Sequence, residues 1–462
     1  MNRRIFGIET EYGLLCADAG DEPVSVELAA RILFKPLVES GRSSNVYWRN
    51  GGRIYLDVGA HPEYATAECD RVEDLLLQDR AGDYLFADLA RRADEALANC
   101  GTGGKIHLFR NNEDFEGHSF GCHENYLLRR RSNFRQVVDA LVSFFVTRQI
   151  LTGAGHIHRD GKPRFGYSSR AIHMSDAVSS ATTRSRPIIN TRDEPLADAS
   201  EYRRLHVIVG DTNVSESSTA LKVVMTDLLL SAVENGVRIE DLALKDPLAS
   251  IRAIDDELGS NIVVELENGR TMTVVALQRE LRRRVLDHVD LDSASPLVHR
   301  MVDLWDRGLV AVETGEHGLI NTELDWAIKR DLIVRFMERS GADLLDPRVS
   351  RLELAYHDIT GKTVAERLEE SGAMVRLTAE ADTRRAMDTP PASTRAHLRG
   401  QLIAAAEQHR RDFKAEWKEI GLFSGEQWTS VILPDPFATE DPRIDEMIEK
   451  IQTDNRGPRV FA

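Results

Sequence analysis

The chain has 462 residues, of which 42% are hydrophobic and 29% charged, a composition typical of a soluble globular protein with one large domain and an appendage, or with two to three ordinary domains. Its formal net charge of −16 argues against broad, nonspecific nucleic-acid binding, which needs a basic surface. No apolar run is long enough to span a membrane or serve as a secretory signal, and the four cysteines form no CxxC pair. We therefore expect a cytoplasmic protein with reduced thiols. We expect it to have no membrane partner and no nucleic-acid partner.

A first strand is predicted over residues 4–13, in the stretch RIFGIETEYG. Side chains alternate between the two faces of a strand, so Phe6 and Ile8 point one way and Glu9 and Glu11 the other. Two carboxylates at this spacing lie roughly 7 Å apart, which is unfavourable unless a cation or a basic side chain lies between them. We favour a divalent metal ion; the alternative is that each glutamate pairs with an arginine.

A second strand of the same kind is predicted over residues 53–58, in the stretch RIYLDV. Arg53, Tyr55 and Asp57 share one face, and the apolar residues between them share the other. A guanidinium, a phenol and a carboxylate on one face indicate a functional surface, although an isolated strand of this kind would fit an edge strand with a salt-bridged outer face. Pro62 then ends regular pairing, and three polar residues follow: Glu63, Thr66 and Glu68.

Helices with apolar stripes are predicted over residues 25–41, 71–99, 134–151, 215–235, 275–310, 322–340 and 394–408, with a helical acidic tail at 444–451. In the first of these, the stripe consists of Leu28, Ile32, Leu33 and Leu37. Residues 388–394, DTPPAST, have the consecutive prolines and small polar residues of a linker and mark the predicted domain boundary.

Isolated polar residues elsewhere allow more than one interpretation. Glu124 is a candidate metal or supporting carboxylate, and an ordinary polar strand end is at least as compatible with its surroundings. His206, on a strand predicted at 203–211, could add a nitrogen ligand, although a buried core histidine is the commoner explanation. His156 and His158 share a strand face, but histidine pairs in loops are more often solvated than metal-bound.

The carboxylate-bearing strands indicate a site for a cation-bridged polyanion, most simply a nucleoside triphosphate. The chain contains no GxxxxGK[ST] loop and no protein-kinase signature, so neither familiar ATP scaffold applies. A hydroxyl-rich stretch at 179–187 with Arg184 and Arg186 suits phosphate or carboxylate recognition.

Long motifs in the chain resemble those of the Pup ligase/Pup deamidase family, which comprises glutamine-synthetase-like carboxylate–amine ligases. The resemblance extends over nearly the whole chain, and within the family it is to the ligase branch. The motifs that carry it are GIETEYG at 7–13, residues 55–69 (YLDVGAHPEYATAEC), GCHEN at 121–125, residues 179–195, residues 203–210, residues 325–329 and TRAHLRG at 394–400.

The resemblance implies an α+β fold with a largely antiparallel, concave sheet flanked by helices, a catalytic domain at 1–390 and a small C-terminal domain at 391–462 that contributes to the nucleotide site. It implies a reaction in which ATP phosphorylates the side-chain carboxylate of the C-terminal glutamate of Pup. A target lysine then displaces phosphate and forms an isopeptide bond (pupylation), which marks the target for proteasomal degradation. The implied site has Mg²⁺ on Glu9, Tyr55 and Glu63, ATP on Arg53, Thr66 and Trp417, with Trp428 as a rival for Trp417, and Asp57 as proton acceptor.

Three alternatives stay open. The paralogous Pup deamidase/depupylase typically carries an extra loop before the segment around Asp57, and the short segment of about 40 residues between Gly13 and Gly52 favours the ligase. A ligase making γ-glutamyl amides from free glutamate, or a nucleotide-binding regulatory module without turnover, would also fit the fold.

The implied partners are Pup, an acidic and disordered modifier, and lysine-bearing target proteins. A chain with a net charge of −16 is expected to attract such a modifier only through a local basic groove. We expect Arg203 and Arg204 to contribute to that groove.

Overall fold

The computed structural model describes residues 3–17, 24–39, 43–57, 59–99, 103–114, 117–181, 186–256, 258–259, 261–424 and 427–453. Its helices are α1 (Val26–Glu39), α2 (Val72–Asn99), α3 (Phe134–Thr147), α4 (Gln149–Thr152), α5 (Glu216–Glu234), α6 (Pro247–Asp256), α7 (Val274–Leu286), α8 (Pro296–Thr314), α9 (Asp325–Ser340), α10 (Pro347–Tyr356), α11 (Val364–Glu370), α12 (Glu380–Ala386), α13 (Ala396–Gln408) and α14 (Pro442–Thr453). Among the described residues, no helix has the length and apolar character needed to cross a membrane.

The strands are β1 (Phe6–Glu11), β2 (Gly13–Ala17), β3 (Asn45–Tyr47), β4 (Arg53–Leu56), β5 (Pro62–Ala65), β6 (Lys105–Phe109), β7 (Cys122–Arg129), β8 (His156–His158), β9 (Arg164–Gly166), β10 (Asp176–Ser179), β11 (Pro187–Asn190), β12 (Tyr202–Val207), β13 (Val263–Glu265), β14 (Thr271–Thr273), β15 (Phe413–Ala415), β16 (Glu419–Ser424) and β17 (Gln427–Ile432). Eight of them form one sheet in the order β10-β11-β12-β7-β1-β5-β4-β3. Every neighbouring pair in that sheet is antiparallel except β10 and β11. This confirms the predicted α+β class with a largely antiparallel sheet.

One face of the large sheet is buried against helices. Phe6 and Ile8 of β1, Tyr126 of β7 and Leu205 and Val207 of β12 belong to one hydrophobic cluster with side chains of α3, α5, α7 and α8. Because side chains alternate along each strand, the residues between these positions point away from that core. The opposite face of the same strands is therefore the polar one.

A second hydrophobic cluster lies under α1 and α2, with contributions from the antiparallel pair β2 and β6. The predicted stripe of α1 is confirmed at Leu33 and Leu37, which are buried, and Ile32 is partly buried. It is wrong at Leu28, whose exposed fraction is 41%. Leu28 is five residues before Leu33 and nine before Leu37, so at about 100° per residue it lies on the opposite side of α1 from these buried side chains.

Two helices occupy the region where a single pattern was predicted at 275–310. The chain leaves α7 at Leu286 and begins α8 at Pro296. Ser295 caps α8 by accepting a hydrogen bond from the N–H of Val298 (3.3 Å), and proline is well suited to the first helical position. A serine followed by proline is thus the local reason for the break.

The C-terminal part of the chain has its own small core, in which α13 and α14 pack on the three-stranded sheet β15-β16-β17. Residues 388–394, predicted as a linker, form hydrogen bonds with the rest of the chain: Gln78 Nε2 donates to Thr389 O (3.1 Å) and Thr394 Oγ1 donates to Glu68 O (2.8 Å). The connection is therefore held in place by hydrogen bonds. The division into 1–390 and 391–462 stays a prediction.

Candidate active site

Neighbouring strands place a row of polar side chains on the open face of the large sheet. In the strand register Glu9 is opposite His123, Glu11 is opposite Glu63, and Glu63 is opposite Tyr55. His206 of β12 is opposite Asn125 of β7. The two strands singled out from the sequence, β1 and β4, are separated only by β5, so the residues predicted on each of them come together.

Glu9 lies between two histidines. Its Oε2 is 3.3 Å from His123 Nδ1 and 3.8 Å from His206 Nε2, and Asn125 Nδ2 donates to its Oε1 (3.2 Å). Burial opposes ionisation of Glu9, but the hydrogen bond with His123 and nearby positive charge lower its pKa to about 2. Burial lowers the pKa of His206 to about 3, so at neutral pH its ring nitrogen has a lone pair available.

Glu63 and Glu11 form the other half of the row. The Tyr55 hydroxyl donates a short hydrogen bond to Glu63 Oε1, and His123 Nε2 lies 3.9 Å from Glu11 Oε1. Burial raises the pKa of Glu63 well above its usual range, and the charges of Glu9 and Glu11 act in the same direction. Burial likewise raises the pKa of Tyr55, so the phenol is protonated at neutral pH. Glu63 therefore lacks enough nearby positive charge to ionise easily.

This donor set fits a divalent cation. Ligand atoms of Glu9, His123 and His206, and of Glu11, Glu63 and His123, lie within 4.8 Å of one another. Carboxylate oxygens are the ligands that Mg²⁺ prefers, and a cation would remove the repulsion between them. The absence of a side chain at Gly121 lets Glu11 and His123 take these positions, because a Cβ there would lie 2.8 Å from Glu11 Oε1 and would collide with His123.

A cavity opens beside this row of side chains. Its walls come from β1, the chain after β5, the middle of β7, a loop before β12 and the C-terminal unit. The lining residues are Ile5–Glu9, Ala65–Glu68, Asn125–Leu127, Pro195–Ala197, Arg204, Arg395, Trp417 and Pro436. Most of the lining is apolar, and its charged side chains are Glu9, Glu68, Arg204 and Arg395.

Trp417 reaches the cavity from the turn between β15 and β16. Its ring packs edge-on against Tyr47 at 5.3 Å, and the Arg399 guanidinium lies 5.2 Å from its centre. Trp428, the rival, lies on β17 against Phe423 (4.6 Å) and does not line this cavity. The geometry thus favours Trp417 over Trp428 as the tryptophan beside a ligand.

Arg53 and Thr66, which the resemblance implies as ATP contacts, have different surroundings. Arg53 Nε donates to Asn45 Oδ1 (2.7 Å), and its guanidinium lies 4.4 Å from the centre of the Tyr55 ring. Thr66 lines the cavity, but its hydroxyl accepts the N–H of Ile8 (3.1 Å). Thr66 therefore holds β1 against the end of β5 whatever else it contacts.

Asp57 is exposed and lies immediately after β4, at the start of a turn. Its N–H donates to His61 O (2.9 Å), and the His61 ring stacks on Phe120 at 4.4 Å. Gly59 and Ala60 both have positive φ, 85° and 62°. The turn therefore places Asp57 just beyond Tyr55, at one end of the row of polar side chains. Val58, expected on the opposite face, lies outside the described residues.

Glu124, a candidate ligand from the sequence, is on the wrong face. Its side chain has an exposed fraction of 0% and pairs with Arg148 in the core. His123 and Asn125, the residues on either side, face the site instead. Alternation could have identified them, because Cys122, Tyr126 and Leu128 are apolar and share the face of Glu124.

The expectations for the other histidines and for the arginines of residues 179–187 have different outcomes. His206 does lie beside Glu9, as the sequence allowed. His156 and His158 are not solvated, since both rings contact Asp255. Arg184 lies outside the described residues, and Arg186 Nη2 donates to Ser119 O (2.8 Å).

Comparisons with known proteins agree on one family. The family described as Pup-ligase protein matches residues 4–421. Curated relatives named Pup--protein ligase include one from Jonesia denitrificans, 48% identical over 98% of this chain and 99% of the relative, and one from Rhodococcus opacus (strain B4), 47% identical over 97% and 99%.

Two solved structures are also similar. The complex between prokaryotic ubiquitin-like protein Pup and its ligase PafA matches with a TM-score of 0.92 at 39% identity, over 98% of this chain and 92% of that chain. The Pup ligase PafA in complex with ADP matches with a TM-score of 0.84 at 40% identity, over 93% and 94%. This chain therefore belongs to the Pup-ligase family.

Proposed function

We propose that this protein is an ATP-dependent Pup–protein ligase. It joins the side-chain carboxylate of the C-terminal glutamate of Pup to a lysine of a target protein, and so marks the target for proteasomal degradation. The observation that carries the proposal is the row of carboxylates on β1 and β5 directly beside a mostly apolar cavity that Trp417 helps to line. Relatives of nearly full length carry the name Pup--protein ligase.

The nucleotide site of this proposal is the cavity. Thr66 and Trp417 of its lining contact ATP together with Arg53, which lies outside that lining, and Glu9, Tyr55 and Glu63 hold Mg²⁺ in the adjoining row of polar side chains. The similarity to a Pup ligase in complex with ADP supports nucleotide binding here. When bound, ATP and Mg²⁺ supply the phosphoryl group and the positive charge that phosphoryl transfer needs. The protein's own part is to hold the carboxylates in register across β1, β5 and β4.

Asp57 is the proton acceptor of the proposal. An attacking lysine is protonated at neutral pH and must lose a proton before its amine can act as a nucleophile. Asp57 is an exposed carboxylate, placed at the end of β4 where a large protein substrate can approach. Because it lies beyond the row of ligand residues, it can take this proton without being needed to hold the cation.

Pup and lysine-bearing target proteins are the partners, and the cytoplasm is the place of action. The similarity to a ligase in complex with Pup supports the first of these. The small C-terminal domain at 391–462 takes part through Trp417 and through Arg395, which also lines the cavity.

The test is incubation of the purified protein with ATP, Mg²⁺, Pup ending in glutamate and a lysine-bearing target. Conjugate of higher mass with ADP release supports the proposal. Ammonia release from Pup ending in glutamine, without conjugate, would identify a deamidase. Activity on free glutamate with a small amine would identify a small-molecule ligase, and nucleotide binding without Pup-dependent ADP release would identify a regulatory module.

A further inference from the structure

A second group of metal-competent side chains lies outside the proposed active site, at the hairpin of β8 and β9. His156 and His158 are two residues apart on β8 and so share a face. They meet Asp255, in the last turn of α6. We propose that these three residues bind a divalent transition metal, zinc in the first instance, and that this ion ties the hairpin to α6.

The distances suit a single ion. Asp255 Oδ2 lies 3.2 Å from His156 Nε2 and 3.0 Å from His158 Nε2, and the three ligand atoms all lie within 4.8 Å of one another. A tetrahedral zinc site with bonds of about 2.0 to 2.2 Å places neighbouring ligand atoms about 3.3 Å apart. The two distances from Asp255 to the histidines are thus within a few tenths of an ångström of those in a zinc site, and a water molecule completes the coordination.

The cluster is also enclosed and oriented as metal sites are. The exposed fractions of the side chains are 13% for His156, 5% for His158 and 2% for Asp255. The Ser168 N–H donates to Asp255 Oδ1 (2.8 Å), which leaves Oδ2 to face the histidines. Supporting hydrogen bonds of this kind orient the ligands of metal sites.

Gly166 of β9 keeps the space open. It is opposite His156 in the hairpin register. A Cβ at this position would lie 2.6 Å from both His158 Nε2 and Asp255 Oδ1, so any side chain would displace the ligands.

The choice of metal follows from the donor atoms. Two imidazole nitrogens and one carboxylate oxygen suit zinc and its neighbours in the first transition row, whereas Mg²⁺ and Ca²⁺ prefer oxygen alone. The rival explanation is a hydrogen-bonded His–Asp–His group that holds no ion. Glutamine at either histidine position keeps a hydrogen-bond donor for Asp255 but binds zinc poorly, and this separates the two explanations.

The experiment uses the full chain with His123→Gln, because His123 belongs to both histidine–carboxylate groups of the proposed active site. Three groups of possible metal ligands occur among the described residues, and the group at Asp255 is the one that this substitution leaves intact. After chelator treatment, Zn²⁺ binding is measured by equilibrium dialysis and by the rise in melting temperature, and Co²⁺ binding by its visible absorption. We add His156→Gln, His158→Gln and, as matched control, His299→Gln, whose side chain is exposed on α8.

We expect the background protein and the His299→Gln control to bind one equivalent of Zn²⁺ at micromolar concentration. Zn²⁺ should raise their melting temperature by several degrees, and Co²⁺ should give the visible bands of a four-coordinate ion. His156→Gln and His158→Gln should lose at least tenfold in affinity, while their circular dichroism without metal remains that of the background protein. Equal Zn²⁺ binding in all variants, or none in the background protein, would overturn the proposal. The Co²⁺ spectrum of the background protein decides the matter even if a glutamine variant fails to fold. None of these measurements depends on ligase activity.

Discussion

Asp57 is the residue on which the proposed chemistry can be tested most directly. Asp57→Asn preserves the shape of the side chain and removes the base, so conjugation of Pup to a target should fall by about 100-fold or more, the usual scale for losing a general base. ATP should bind with nearly unchanged affinity. The measurements are a gel assay for conjugates and a nucleotide titration.

Asp331→Asn is the control for that substitution, because Asp331 lies on α9 and pairs with Arg335 at the surface (2.8 Å). It should conjugate at the rate of the unmodified protein. A near-normal rate for Asp57→Asn would mean that the proton acceptor is another residue.

Glu9 should behave in the opposite way. It lies between His123 and His206 and lines the cavity, so Glu9→Ala removes a proposed ligand itself. We expect Mg²⁺-dependent nucleotide binding to weaken by about tenfold or more, since even the loss of a supporting partner of a metal ligand has that effect. Calorimetric titration at several Mg²⁺ concentrations measures it, and an unchanged affinity would place the cation elsewhere.

At the scale of secondary structure, the entry of the chain into β7 decides how much room the carboxylates have. Gly121→Ala places a methyl group 2.8 Å from Glu11 Oε1 and against His123. We expect weaker Mg²⁺-dependent nucleotide binding with a melting temperature close to that of the unmodified protein. Gly318→Ala is the matched control, because a Cβ there meets no atom within 4 Å.

Helix α13 is joined to the chain after β5 by a buried ion pair. Glu68 Oε1 accepts from Arg395 Nε (2.9 Å) and from Arg399 Nη1 (3.1 Å). Burial opposes the ionisation of Glu68, but Arg399 and Arg395 outweigh it and lower its pKa to about 2. The C-terminal unit thus depends on a carboxylate that ionises more easily in the folded protein than in the unfolded chain.

The sign of the pH dependence follows from that direction. A carboxylate whose pKa is depressed on folding stabilises the protein above its unfolded pKa, and this contribution is lost as the pH falls through its folded pKa. For Glu68 the window runs from 4.5 down to about 2, and the contribution is roughly 3 kcal/mol in magnitude. The difference in unfolding free energy between the unmodified protein and Glu68→Gln should therefore shrink as the pH is lowered through this window, which denaturant titrations can measure.

At the scale of the whole molecule, the net charge of −16 opposes the approach of an acidic modifier. Pup must then bind through a local basic surface, and its affinity should fall as ionic strength rises because salt screens that attraction. Arg203→Gln should weaken binding and reduce its salt dependence, although Arg203 is already near Asp193 (3.4 Å) and Phe134 (4.2 Å).

Arg238→Gln is the control, since the Arg238 side chain is exposed and lies beside Glu240 (3.9 Å), away from β12. Fluorescence anisotropy with labelled Pup at several salt concentrations measures both variants. Affinity that does not change with salt would contradict the electrostatic explanation.

Much of this site could be predicted from the sequence because alternation along a strand is a local property. The period of two in residues 4–13 and 53–58 is enough to place Glu9 with Glu11 and Arg53 with Tyr55. Helical periodicity likewise predicted α2, α5 and α13 near their observed bounds. These features depend on neighbours within a few residues, which the sequence displays directly.

Tertiary structure decided everything that depends on which strands are neighbours. The sequence does not state that β5 lies between β1 and β4 or that β7 lies beyond β1, so it gave Glu124 as a candidate carboxylate and did not identify His123 and Asn125, which face the site. The same limit applies to Trp417, whose carbonyl accepts a hydrogen bond from Arg399, the partner of Glu68. It also applies to His156 and His158, whose partner Asp255 is about 100 residues away along the chain. Such contacts arise from packing between distant segments, and a local pattern carries no record of them.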